Sequence, residues 1–166
     1  MLVETILFWL FSILGLIGAL GLIMNRNAVY SALSVILNFF SIAGLYLSLR
    51  AEFLAVIQVL VYAGAIMVLF LFVIMLLNLS TEPKPEGQGW MRGAAFILGG
   101  AFIVELLFVF KAIPSPAFPE NFDFGQVEII GRKLMTEYLF PFEVISVILL
   151  AALIGAIVIA KKYDYK

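Results

Sequence analysis

An all-α integral membrane protein of five transmembrane helices, N-terminus outside and C-terminus cytoplasmic, is the fold this sequence predicts. Three observations predict it. Hydrophobic residues make up 64% of the 166-residue chain and charged residues only 13%, about half the share that covers a soluble domain. Mean hydropathy is +1.16. The apolar residues fall into five runs, at 5–24, 28–49, 53–79, 93–113 and 142–160. Each is near the roughly 20 residues that cross a hydrocarbon core, and they form a single membrane domain over 1–166.

The first run follows Met1-Leu2-Val3-Glu4, which lacks the basic start of a signal peptide, and so reads as a retained membrane helix. Gly15, Gly18, Ala19 and Gly21 give it a small-residue contact face, with a small-xxx-small pair at 15 and 19. Only Asn25-Arg26-Asn27 separates it from the second run, and Arg50-Ala51-Glu52 separates the second from the third. Links that tight make the first three helices antiparallel neighbours. The third run, 53–79, contains no charged side chain, yet carries Gln58, Tyr62 and Ala63-Gly64-Ala65. A Pro- and Gly-containing link, 80–92, leads to the fourth, which Glu105 interrupts.

Lys111 closes the fourth run, and Pro114, Pro116 and Pro119 then forbid a helix. A long polar loop, 114–138, follows, its second half able to form a short interfacial helix over 127–139. Orientation is read from Lys and Arg. Arg26, Lys84, Arg92, Lys161, Lys162 and Lys166 share one side; Arg50, Lys111, Arg132 and Lys133 share the other. The first group, with Lys161-Lys162 at a membrane boundary, is assigned to the cytoplasm.

Composition also excludes. A net charge of −1 gives no basic field for nucleic acid. Cysteine and histidine are absent, so these side chains form no disulfide, thiolate nucleophile, iron–sulfur or histidine–haem ligand. No catalytic, cofactor-binding or metal residue is assigned. No inverted repeat points to a transporter.

Three features carry chemical interest. Asn27, Ser31, Ser34, Asn38 and Ser41 fall within an arc of about 80° on the second helix. Lipid cannot satisfy that stripe, so it faces protein or water. Interhelical hydrogen bonding is the simpler reading; one wall of a hydrated proton path, with Ser31, Ser34, Asn38 and Gln58, is the sharper one. On the third helix, uniform α periodicity puts Ala55, Gln58, Tyr62, Ala65 and Leu69 on one face. Gly64 weakens the helix there and suits either close packing or a π-bulge. Among carboxylates, Glu105 is the costliest at membrane depth. Glu143, after Pro141, complements a helix N-terminus, and Glu52 stands at the mouth of the third helix.

The run from Glu52 through Gln58, Tyr62-Ala63-Gly64-Ala65 and Ile66-Met67-Val68-Leu69-Phe70 resembles the third-helix signature of chain J of bacterial NADH-quinone oxidoreductase. The mitochondrial counterpart is NADH dehydrogenase subunit six. Tyr138 to Ser146, with Leu149-Leu150 and Gly155-Ala156, resembles the last helix of that family, and Asn27 with Ser31-Ala32-Leu33 the start of its second. The resemblance implies a cofactor-free subunit in the membrane arm of respiratory complex I, in the cell inner (plasma) membrane, catalytic only within the complex. FMN, iron–sulfur clusters and quinone would belong to other subunits, and chains H, K, A and N would be partners. It also implies that the third helix switches between α and π forms and gates a water path, with the hinge at Tyr62, Gly64, Ala65 and Val68. Several relatives have glutamate where this chain has Gln58, and an amide cannot relay a proton. Glu105 has no counterpart in the pattern. The alternative function is a structural membrane scaffold without a gating role.

Overall fold

The structure, a computed structural model, describes residues 2–77, 89–112 and 125–161. Most of the link at 80–92, the three prolines after Ile113, the first part of the loop 114–138, and Lys84, Lys162 and Lys166 lie outside the described residues. Five helices are long and apolar enough to cross a membrane: Leu2–Met24, Ala28–Ser48, Glu52–Leu77, Gly93–Ala112 and Leu139–Ala160. The fourth extends back to Gly89, and a short helix, Val127–Leu134, precedes the fifth.

Local chemistry explains the ends. Asn27 caps the second helix, its side-chain oxygen accepting from the Val29 N–H at 2.9 Å. At the other end Arg50 N–H donates to the Leu47 carbonyl and Ala51 N–H to the Tyr46 carbonyl. Those two bonds are the Schellman pattern, which needs a left-handed residue between them. Arg50 supplies it at φ 58°, where glycine would be free and arginine costs about 1 kcal/mol. The fifth helix begins at Leu139, three residues before the expected 142, with Tyr138 as its N-cap. Pro141 therefore sits inside the first turn, where the missing N–H has no intrahelical acceptor to lose.

The second helix is held between the first and third. Toward the first, Gly15 and Gly18 are buried, and a Cβ at Gly18 would lie 2.8 Å from both Asn38 N and Ser34 O. Ala19 is exposed, which corrects the expected 15/19 pair. The seam runs Phe11, Gly15, Gly18, Gly21, because spacings of four and three average near the 3.5 residues of a helix–helix seam. Phe11 fills the notch over Gly44, where a Cβ would stand 2.5 Å from its ring. Toward the third helix, Ala32, Met67 and Ile74 are buried with Ala28, Val35, Ile36, Phe39 and Leu71 around them.

Among the described residues, none in the fourth or fifth helix is buried. The short helix turns Ile129, Ile130 and Leu134 partly inward and exposes its ion pairs Arg132–Glu128 (3.6 Å) and Lys133–Glu137 (3.7 Å). Pairs so exposed add little to stability.

Candidate functional site: a π segment in the third helix

The third helix is not uniform. Glu52–Ile57 and Met67–Leu77 are α, but Gln58–Ile66 is a nine-residue π-helix. Its hydrogen bonds reach back five residues, as Met67 N–H does to the Tyr62 carbonyl. The π form is rare within α-helices and is frequently found at functional sites.

The inserted residue shifts the register and overturns the expected face. Ala55 and Gln58 are buried, but the next buried positions are Ala63, Met67 and Ile74. Tyr62 is 44% exposed and Leu69 65% exposed; Ala65 is also exposed. A constant 100° per residue holds only while the helix is α. The five-residue step from 58 to 63 carries the seam one residue further along.

Tyr62 lies at the rim of the second–third interface. Its ring meets Phe39 edge-on, centroids 5.6 Å apart at 68°, the geometry that aromatic quadrupoles favour. Gly64 and Val68 face outward. A Cβ at Gly64 would lie 3.2 Å from the Val59 carbonyl, the oxygen five residues back. Gln58 is 7% exposed, and its side-chain amide makes no hydrogen bond to another described residue. Nearby, Ala43, Leu47, Ala55, Val56, Val59 and Leu60 line a groove of about 330 Å³. Its walls are apolar and offer nothing to conduct a proton.

The polar stripe of the second helix is occupied by the first. Asn38 Nδ2 donates to the Gly15 carbonyl at 2.7 Å. Ser34 Oγ donates to the Tyr30 carbonyl (2.9 Å) and accepts from Asn25 Nδ2 (3.2 Å), while Ser31 Oγ donates to the Asn25 carbonyl (3.2 Å). Ser41, 2% exposed, bonds the Leu37 carbonyl. The residues packed on the third helix lie roughly 120° around from this stripe. Ser31, Ser34 and Asn38 are thus gathered on one interface and Gln58 on another. Asn38→Ala is expected to remove one intramembrane bond worth about 0.6 kcal/mol. Thermal unfolding should then shift down by no more than about 2 °C. Loss of assembly would mean that Asn38 does more than bond Gly15.

Glu52 is exposed in the first turn of the third helix, and Glu105 is exposed on the fourth. Glu143 is exposed but lies past the first turn of the fifth helix, which holds no acid; with the helix starting at Leu139 it does not complement the N-terminus as expected, because the dipole acts only within that turn. The Glu143 carbonyl accepts from Ser146 Oγ at 2.6 Å. Among the described residues no three His, Cys, Asp or Glu approach one another closely enough to hold a metal. The inward positions of Ala63 and Met67 and the contact of Phe39 with Tyr62 were not read from the sequence, since they depend on the π register, which no local signal marks.

The family profile described as NADH-ubiquinone/plastoquinone oxidoreductase chain 6 matches residues 18–159. The chain belongs to this family. It is 42% identical to NAD(P)H-quinone oxidoreductase chain 6 of Leptolyngbya boryana over 87% of this chain and 73% of that one. It is 38% identical to F(420)H(2) dehydrogenase subunit J of Methanosarcina mazei, over 95% and 91%. Identity is also 38% with NAD(P)H-quinone oxidoreductase chain 6 of Synechocystis, over 96% and 82%. As a chain 6 family member it is a cofactor-free membrane subunit of a multi-subunit oxidoreductase, not catalytic alone. It assembles with other membrane-arm subunits and resides in the inner or plasma membrane.

Proposed function

We propose that this chain couples quinone reduction to proton transfer by gating a water path through π–α interconversion of its third helix. The observation that carries the reading is the nine-residue π segment, Gln58–Ile66, in a chain of this family. Converting π to α removes one residue of rotation, about 100°. Tyr62 would replace Ala63 in the seam, and Ile66, Phe70 and Val73 would replace Met67, Leu71 and Ile74. The hinge is Tyr62, Gly64, Ala65 and Val68, three of which face outward toward partner chains. Where five-residue hydrogen bonding reverts to four, one carbonyl is skipped. With the free amide of Gln58 it makes a polar step for water at membrane depth.

Ser31, Ser34 and Asn38 extend that polar lining when the first and second helices part, and Glu52, Glu105 and Glu143 are the carboxylates available for proton relay. The complex is an H+-translocating NADH:quinone oxidoreductase with chains H, K, A and N as neighbours. Its FMN, iron–sulfur clusters and quinone are held by other subunits. The N-terminus is outside and the C-terminus cytoplasmic. Because the donor is oxidised elsewhere, one membrane subunit suits relatives named for NAD(P)H and for F(420)H(2).

Gly64→Val tests the hinge. A β-branched side chain loses rotamer freedom against the preceding turn, and its Cβ would crowd the Val59 carbonyl. In the assembled complex, proton pumping should fall by about tenfold while quinone reduction continues. Normal pumping would rule out Gly64 as a necessary hinge. The scaffold reading draws on the satisfied bonds between the first and second helices. It expects substitutions to alter assembly and never the protons moved per electron.

A further inference from the structure

The third helix is anchored from outside itself. Its N-cap residue, Ala51, provides no side-chain hydrogen bond, so the first-turn N–H groups need acceptors from elsewhere. Phe53 N–H finds one in the Gly125 carbonyl, at 3.3 Å. Gly125 belongs to the loop before the fifth helix and can approach only because it has no side chain. A Cβ there would collide with the Arg50 carbonyl and stand 2.9 Å from Ala51 Cα. Backbone torsion does not demand this glycine, since its φ is not positive; proximity does.

The contact closes a strap. Two residues after Gly125 the short helix Val127–Leu134 begins, and its far end runs on to Leu139, the first residue of the fifth helix. At the other side the held turn lies in the short stretch Glu52–Ile57, which runs directly into the π segment. A helix that gains or loses one residue of rotation must turn one end against the other. Whichever end is held decides which end moves.

We propose that Gly125 is a positioning residue for the third helix, its carbonyl holding the N-terminal turn so that π–α conversion turns residues 67–77. The proposal rests on the gating reading above. It has a distinct signature, because a cap with no mechanical role changes local protection and leaves coupling alone.

The test is hydrogen exchange over residues 50–57, with protons pumped per quinone reduced, in the whole complex. Wild type, Gly125→Ala and Gly131→Ala are compared; a Cβ at Gly131 meets nothing within 4 Å. The Phe53 amide should be protected in wild type and exchange about fivefold faster in Gly125→Ala. The proton ratio should fall about twofold or more while the quinone-reduction rate holds. Gly131→Ala should change neither. Unprotected Phe53 in wild type overturns the proposal, and so does faster exchange with an unchanged proton ratio. If Gly125→Ala fails to assemble, Ala51→Asp in the same chain supplies an N-cap acceptor, and recovery of both readouts is expected. Recovery of protection without coupling would again overturn it. Normal pumping in Gly64→Val beside lost coupling in Gly125→Ala would sink the hinge and leave the anchor standing.

Discussion

Deleting Leu60 should give a complex that assembles and reduces quinone but moves few protons. A π segment is an α-helix carrying one residue too many. The inward positions of the third helix are Ala55, Gln58, Ala63, Met67, Leu71 and Ile74, with steps of three, five, four, four and three. Removing one residue between Gln58 and Ala63 turns the five into a four, the rhythm of an unbroken α-helix. Both ends then keep their contacts with the second helix. Leu60 is 66% exposed, so its loss takes only part of the wall of the groove it shares with Ala43 and Leu47. What disappears is the second helical state. A gate without an alternative state cannot open and close, and protons pumped per electron in sealed vesicles should fall about tenfold or more. Unchanged pumping would mean that the extra residue serves packing alone, and the scaffold reading would stand.

Gly18→Val should act earlier, on the amount of complex formed. The Cβ would be 2.8 Å from a backbone nitrogen and a backbone oxygen of the second helix, neither of which can rotate aside. The first helix must back away along its length. That would stretch the Asn38–Gly15 bond, and overpacking of this kind costs about 1–3 kcal/mol. Because the second helix is shared with the third, the fault spreads to the core around Ala32 and Met67. Membrane levels of the subunit should drop about tenfold, read by immunoblot, with normal turnover in whatever assembles. Wild-type levels would show that the first helix is free to slide.

The spans and the short helix were legible because hydropathy acts locally. Pro141 misled by three residues because proline reads as a boundary but is also welcome within a first turn. The polar stripe on the second helix was legible too, since Ser31 to Ser41 lie on an undistorted α-helix that Asn27 caps. The face of the third helix was not. Its residues were placed by a single angular step, and the π insertion changed that step after Gln58. The 15/19 pair failed for a related reason, since two crossing helices select a seam that no isolated helix displays. The clasp between Gly125 and Phe53 joins residues far apart in sequence, and nothing near either announces the other.

The bare fourth and fifth helices have a consequence for how the cell makes this protein. Among the described residues neither span buries a side chain within its own chain, so packing against its siblings adds little to it. It is held by the bilayer and, in time, by neighbours. A newly made copy should therefore be an orphan awaiting capture, short-lived when its partners are scarce. The supply of the chain would then be set by the synthesis of other subunits rather than by its own.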